Sequence, residues 1–276
     1  MALVRFPGTS PAQDPEQDPD IELTDADDEL DAGGKMSFLE HLDELRKRLI
    51  MSVVALVVGT LVAFFFINDI FRFVLGPVKA MLPNNGTFIA TEGPEVFMLY
   101  IKVGLLSGLF VAMPFILWQL WLFIAPGLYS HEKRFAIPFV LFSTVFFFAG
   151  ALFCHYIAFP ATWMFFLGFE SDLVHFMPKL GPTFSLYTKM ILAFGAIFQM
   201  PVLVLALARM GVVTAGFLVK HTKYAVLIIF ILGAVLSPGG DISSQVMMAG
   251  PMLVLYAISI GVAWIFGKKK ETNSTR

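Results

Sequence analysis

An all-α membrane protein, a polytopic bundle of six transmembrane helices with both termini on the cytoplasmic side, is the fold class that this sequence predicts. Three observations predict it. Of 276 residues, 57% are hydrophobic and only 14% are charged, whereas a soluble domain carries about a quarter charged residues because its surface faces water. Six apolar stretches recur along the chain, and most are near the ~20 residues that a helix needs to cross ~30 Å of hydrocarbon. When the stretches are threaded back and forth, the basic residues sort to one side. Backbone polar groups find no partners in lipid, so each crossing is expected to be a helix.

The net charge of -2 averages two unlike parts. Residues 1–34 hold ten of the 21 acids and one base, Arg5, which leaves 18 basic and 11 acidic residues for the rest. Residues 1–35 are too polar and self-repelling to fold alone and are expected to be a disordered acidic tail. They lack the basic start and apolar core of a cleaved signal. Residues 36–267 form the expected membrane domain, and 268–276 a basic cytoplasmic tail. Cys154, the one cysteine, cannot form an internal disulfide.

The first apolar stretch is 49–67, preceded by Arg46, Lys47 and Arg48. The second is 103–124, with 96–102 as a helical lead-in. The third is 135–154, the fourth 190–208, the fifth 225–236 and the sixth 246–266. The fifth is short, since twelve residues at ~1.5 Å rise cover only ~18 Å. Snorkelling of Lys220, His221 and Lys223 from inside the helix, together with a thinner bilayer, reconciles that length with a crossing. With the N-terminus inside, 13 basic residues of the body fall inside and five outside (Arg72, Lys79, Lys102, Lys179 and Lys189). The positive-inside rule therefore puts both termini in the cytoplasm.

Two external loops are long. Residues 68–95 end in Thr91-Glu92-Gly93-Pro94-Glu95, where Thr91 or Gly93 is expected to cap the second helix, with Pro94 in its first turn. Residues 156–187 open with Phe159-Pro160-Ala161-Thr162-Trp163-Met164-Phe165-Phe166. Pro160 interrupts that run, so it is read as a separate aromatic segment lying at the outer interface, with a re-entrant segment as the alternative.

Catalytic signatures are absent. The sequence has no G-x-x-x-x-G-K-[ST] run, no H-E-x-x-H, no zinc-spaced Cys/His cluster and no G-x-S-x-G elbow. No enzyme activity, metal, cofactor or nucleic-acid partner is expected. The chain reads as a binding and conduit protein.

The informative charges are acids on the basic side. Phe38, Leu39, Leu42, Leu45 and Leu49 recur at three- and four-residue spacing and make one apolar helix face. Glu40, Asp43, Glu44, Lys47 and Arg48 occupy the others. Spacing alone favours local pairing of Glu44 with Arg48 or Lys47, for a few tenths of a kcal/mol. Glu132, in the short loop between the second and third helices, is either a first-turn acid favouring the helix dipole or a carboxylate awaiting a cation. Carboxylates take paired, charge-assisted hydrogen bonds from guanidinium groups, and a partly desolvated interface strengthens them.

The run Phe38-Leu39-Glu40-His41-Leu42-Asp43-Glu44-Leu45-Arg46-Lys47-Arg48-Leu49 resembles the HLxELRxR start of the TatC family. Pro114-Phe115-Ile116-Leu117-Trp118-Gln119-Leu120-Trp121-Leu122-Phe123-Ile124-Ala125-Pro126-Gly127-Leu128, with Tyr129-Ser130-His131-Glu132-Lys133-Arg134 after it, resembles that family's most distinctive stretch. Ile89-Ala90-Thr91-Glu92, Phe198-Gln199-Met200-Pro201 and Ser237-Pro238 through Asp241 to Gln245 add three matches in order. The resemblance covers roughly residues 36–266.

It implies a cupped bundle with short fifth and sixth helices in the bacterial inner membrane. It also implies a receptor for signal peptides bearing paired arginines, which self-associates and works with TatA- and TatB-type single-span partners. Folded proteins would be exported at the expense of the proton-motive force. Carried over by position, Glu44 and Glu132 would engage the arginine pair, with Arg46 and Phe123 in the same surface. Ser237 and Gln245 would help seat a partner helix. Gln199 stands where the family often has glutamate, which implies hydrogen bonding rather than proton carriage, since a neutral amide avoids burying a charge in lipid. Asp241, in a turn one residue longer than the family's common form, is equally a turn acid satisfying local amides or a functional group. The alternative class is a secondary transporter, which would need ionisable residues at mid-membrane.

Overall fold

A computed structural model describes residues 38–82, 87–124, 136–169, 177–237 and 241–267. The expected tails, 1–35 and 268–276, lie outside them. By internal contacts the chain divides into two units, 1–44 and 45–276. Of the first, the described part is the opening of α1 (Phe38–Phe65). The second holds the rest of α1 and everything else described.

Helix α1 runs 28 residues without a break, ~42 Å at 1.5 Å per residue. Its apolar window is only 11% buried, against 44% for the fourth span. Most of α1 therefore faces outward, and a narrow seam on α3 holds it. A short helix, α2 (Ile67–Met81), follows. The long external loop expected over 68–95 is thus half helix. Val74, Leu75 and Val78 are buried on one side of α2, and Phe71 stacks on Tyr100 at 4.6 Å. Asp69, Arg72 and Lys79 keep its other side polar.

Helix α3 (Glu95–Ile124) spans 30 residues and includes the expected lead-in. Its start is held from within, which corrects the expected Thr91 or Gly93 cap. Glu95 reaches back, accepting from the Thr91 backbone N–H at 2.7 Å and the Gly181 N–H at 2.9 Å. Pairing of Ile89 with Lys179 adds backbone bonds at 3.1 Å in both directions. The two outer loops are therefore stitched together, as a shared side of the membrane requires.

Helix α4 (Ala136–Phe153) does not end where proline was expected to end it. A π-helical turn, Cys154–Ala158, carries the chain into α5 (Phe159–Leu167). The Phe159 N–H bonds to the Cys154 carbonyl, five residues back, so the hydrogen-bond ladder widens just before Pro160, which has no N–H to give. Phe159, Thr162 and Trp163 are buried. The segment read as a separate interfacial stretch is instead the outer end of one apolar run, Ile137–Leu167.

The fourth span joins α6 (Leu180–Ile197) to α7 (Met200–Arg209), tightening at Phe198 and Gln199 with Pro201 in the first turn of α7. Gly211 then takes φ +77°, the left-handed conformation that ends a helix and that side chains with a Cβ resist.

Thr214 caps α8 (Ala215–Lys220), accepting from the Phe217 N–H at 3.2 Å. The chain breaks at His221 before α9 (Thr222–Leu236). Lys220 and Lys223 accordingly sit on two helices rather than snorkelling from inside one. At 15 residues α9 is short, as expected. The sixth span, α10 (Ile242–Phe266), is not short, with 25 residues. Asp241 caps it, and it starts at Ile242, four residues before the apolar stretch, with polar Ser243, Ser244 and Gln245 in its first turn.

The core has an outer part in which Leu75, Val103, Phe159, Tyr187 and Phe194 pack together. An inner part gathers Trp121, Val140, Val202 and Ala206. Helices α9 and α10 close on each other through Ile229, Ala249 and Met252.

Candidate signal-binding rim and outer turn

Glu44 lies in the second turn of α1, its side chain 18% exposed, with Oε2 3.9 Å from His41 Nδ1 one turn back. That contact becomes an ion pair when His41 is protonated. In the second unit, Arg46 and Lys47 are exposed and Arg48 is half-buried. Arg48 Nη1 donates to Gln119 Oε1 at 3.4 Å, and Gln119 Nε2 faces Met51 Sδ at 3.7 Å. Gln119 is 7% exposed, so this contact fixes the inner part of α1 to α3. Phe123 is half-buried in the last turn of α3. Glu132 lies outside the described residues.

The ends that flank the Glu132 loop are pinned. Trp121 Nε1 donates to Ser143 Oγ at 2.6 Å, and its ring stacks on Phe139 at 5.1 Å. The Ser143 carbonyl accepts from Gln199 Nε2 at 2.9 Å. Ser143, 0% exposed, thus joins α3, α4 and the start of α7. Sequence reasoning passed over Ser143 and Gln119. A signal was available, because an indole N–H or an amide inside a span needs a partner.

At the outer turn the structure brings Ser237, Asp241 and Gln245 together, with Gln199 elsewhere. Asp241 Oδ2 accepts from the Ser244 N–H at 2.9 Å, and Oδ1 accepts from the Ser244 hydroxyl at 2.6 Å. The Ser237 hydroxyl meets that of Ser244. Gln245 Nε2 donates to the Phe230 carbonyl at 2.8 Å, tying α10 to α9. The hydrogen bonds from Ser244, side chain first and backbone next, hold the Asp241 carboxyl below its ordinary value. A depressed carboxyl stabilises the fold above its unfolded value, and that contribution disappears as acid protonates it. Of the two readings of Asp241, the helix-capping one describes this geometry.

The inner ends also meet where charge sorting put them. Arg209, at the end of α7, lies over the Phe266 ring near the end of α10 at 5.5 Å. At the other end His155 Nδ1 and the Tyr187 hydroxyl are 3.0 Å apart, with Phe73 stacked on the imidazole at 4.1 Å.

The sequence model of the family described as Sec-independent protein translocase protein (TatC) matches residues 40–251. The chain belongs to the TatC family. A TatC protein of Desulforapulum autotrophicum is 43% identical over 239 residues, covering 87% of this chain and 88% of the relative. That of Aquifex aeolicus is 39% identical over 238 residues, covering 86% and 98%. A crystal structure of the twin-arginine translocase receptor TatC, in a detergent, superposes with TM-score 0.74 at 39% identity, covering 81% of this chain and 99% of that one. The chain is thus a multi-pass subunit of the Sec-independent, twin-arginine protein translocase, a component of the bacterial inner membrane. Five described helices are long and apolar enough to cross, and α9 is a shorter apolar helix. Together they make the six spans of the TatC fold.

Proposed function

We propose that this TatC-family chain is the subunit that binds signal peptides with paired arginines, through Glu44 and Glu132 with Arg46 and Phe123 beside them. The observation carrying this is the length of α1. Its 28 residues exceed a ~30 Å hydrocarbon layer by ~12 Å, and the excess at the basic end bears Glu44. A carboxylate at headgroup depth is dry enough to strengthen a guanidinium pair and wet enough to stay ionised.

A basic signal segment is drawn to this rim and forms two ion pairs, and its apolar stretch then inserts against the helices. TatA- and TatB-type single-span helices join at the wall made by α9, where 15 residues cover only ~22 Å. Ser237 and Gln245 support that wall by holding the turn and the α9–α10 contact. Copies of the chain assemble into a receptor complex, and folded cargo crosses at the expense of the proton-motive force. The solute-transporter alternative draws no support from Gln199, a neutral amide already donating to a backbone carbonyl.

Equilibrium binding of a fluorescent signal peptide to the full chain in nanodiscs tests this reading. An arginine pair should bind about ten-fold or more tightly than a lysine pair, since ammonium groups cannot form the bidentate bonds. Equal affinities would overturn it.

A further inference from the structure

The bundle holds a cavity of about 620 Å³ beside the outer ends of α3 and α6, walled by α1, α3 and α6. Leu105, Leu109 and Leu192 give it apolar walls, yet Lys102 and Lys189 also line it. Both lysines are exposed, and among the described residues neither is in an ion pair. The Thr188 hydroxyl, on the same wall, is buried without a hydrogen-bond partner among the described residues.

Their depth can be estimated. Lys102 is seven residues, ~10 Å, from the outer end of α3, and Lys189 nine residues, ~13 Å, from that of α6. Each of these spans covers about 30 residues, ~45 Å, and overshoots a ~30 Å core by ~7 Å at each end. The lysines therefore begin only a few ångströms inside the hydrocarbon boundary, and their stems reach the phosphate layer.

Two acids line the mouth, Glu92 and Glu95. Glu95 is engaged by the N–H groups of Thr91 and Gly181. Glu92 is exposed, in the loop before α3, farther out than either lysine. The order inward is thus two carboxylates, of which Glu95 is already held by backbone N–H groups, then two ammonium groups and a hydroxyl, and then leucine.

From this order we infer that the cavity binds a zwitterionic aminophospholipid of the outer leaflet, with a phosphatidylethanolamine-type headgroup. Its phosphate lies between Lys102 and Lys189 and accepts from Thr188. Its ammonium group meets Glu92, and an acyl chain lies along the leucines. The charges of the site mirror those of the headgroup, and the apolar wall rules out a small anion as the natural occupant. One seated lipid would fill the seam between α1 and α6.

Native mass spectrometry of the delipidated full chain, titrated with phosphatidylethanolamine, phosphatidylglycerol or inorganic phosphate, tests the inference. The wild-type chain should retain one phosphatidylethanolamine in preference to phosphatidylglycerol. Lys102→Gln/Lys189→Gln should lower that retention about ten-fold, and Glu92→Gln should erase the preference. In the wild-type chain, a photoreactive headgroup should cross-link within 92–109 or 181–192, which needs no variant to fold. Equal retention by the wild-type and double-lysine chains, no preference between the two lipids, displacement by inorganic phosphate, or cross-links elsewhere would each overturn it.

Discussion

Glu44→Gln together with Glu132→Gln should abolish cross-linking of a twin-arginine signal peptide while leaving membrane insertion intact. A hydrogen bond to a charged group contributes about 1.5–3 kcal/mol, so two lost ion pairs remove about 3 kcal/mol or more. That is about a hundred-fold in affinity, with each single change costing about ten-fold. Glutamine keeps the size of the side chain and one acceptor oxygen, so the loss reports charge rather than shape. Insertion should not change, because it is driven by the apolar spans, which neither substitution touches. If the two carboxylates hold one arginine pair jointly, the double loss will differ from the sum of the singles. Unchanged cross-linking in the double variant would remove the proposed site.

Gly108→Ala should loosen α1 far more than Gly104→Ala. With little of α1 buried, its docking depends on a seam in which Gly104, Gly108 and Ala112 recur every four residues on α3. Such small-residue spacing lets helix backbones approach in lipid, where no hydrophobic force presses them together. A Cβ on Gly108 would run into the backbone and hydroxyl of Thr60, which can yield only if α1 moves. A Cβ on Gly59 would lie 2.6 Å from the Gly108 carbonyl, the same conflict from the other side. At Gly104 the obstacle is the Phe64 ring, 2.8 Å from its nearest atom, and a ring can swing away. Overpacking of this kind costs about 1–3 kcal/mol when the neighbour cannot give.

Thermal melting of the purified chain, with hydrogen exchange of the α1 amides, separates the two variants. Gly108→Ala should lower the midpoint and deprotect α1, and Gly104→Ala should do neither strongly. Equal effects would mean that the seam does not hold the helix. Peptide binding should fall with Gly108→Ala, because α1 also carries Glu44.

What the sequence made legible was what depends on hydrophobicity summed over a span. The six crossings and the lead-in of α3 followed from run length. The pairing of outer loops and the meeting of Arg209 with Phe266 agree with sides assigned by counting lysines and arginines. Helix α2 was missed because Asp69, Arg72, Pro77 and Lys79 depress its hydropathy, although Val74, Leu75 and Val78 already carried a helical spacing. The continuation of α4 through Pro160 was missed because proline reads as a stop, and the π turn that admits it leaves no trace in periodicity. The cap of α3 was sought in residues before the helix, yet Glu95 supplies it from inside. The length of α10 was underestimated because its first turn is polar and was counted as loop.

The proposed site was legible only by resemblance. No spacing rule separates Glu44 from an ordinary helix-face acid, and Glu44 lies 3.9 Å from His41, one turn back on the same helix. Polar links such as Arg48 to Gln119 and Trp121 to Ser143 escaped because the partners are 71 and 22 residues apart in sequence. Patterns within one helix cannot show a neighbour that arrives from another.

The most direct test places a photo-cross-linking residue next to the arginine pair of a signal peptide and maps the adducts on the full chain in membranes. Adducts within 38–49 and 123–134 are predicted, on the side where the basic residues gather. Adducts confined to the outer segments 87–95 or 156–187 would contradict the account, because the guanidinium groups would then be met at the opposite face of the membrane.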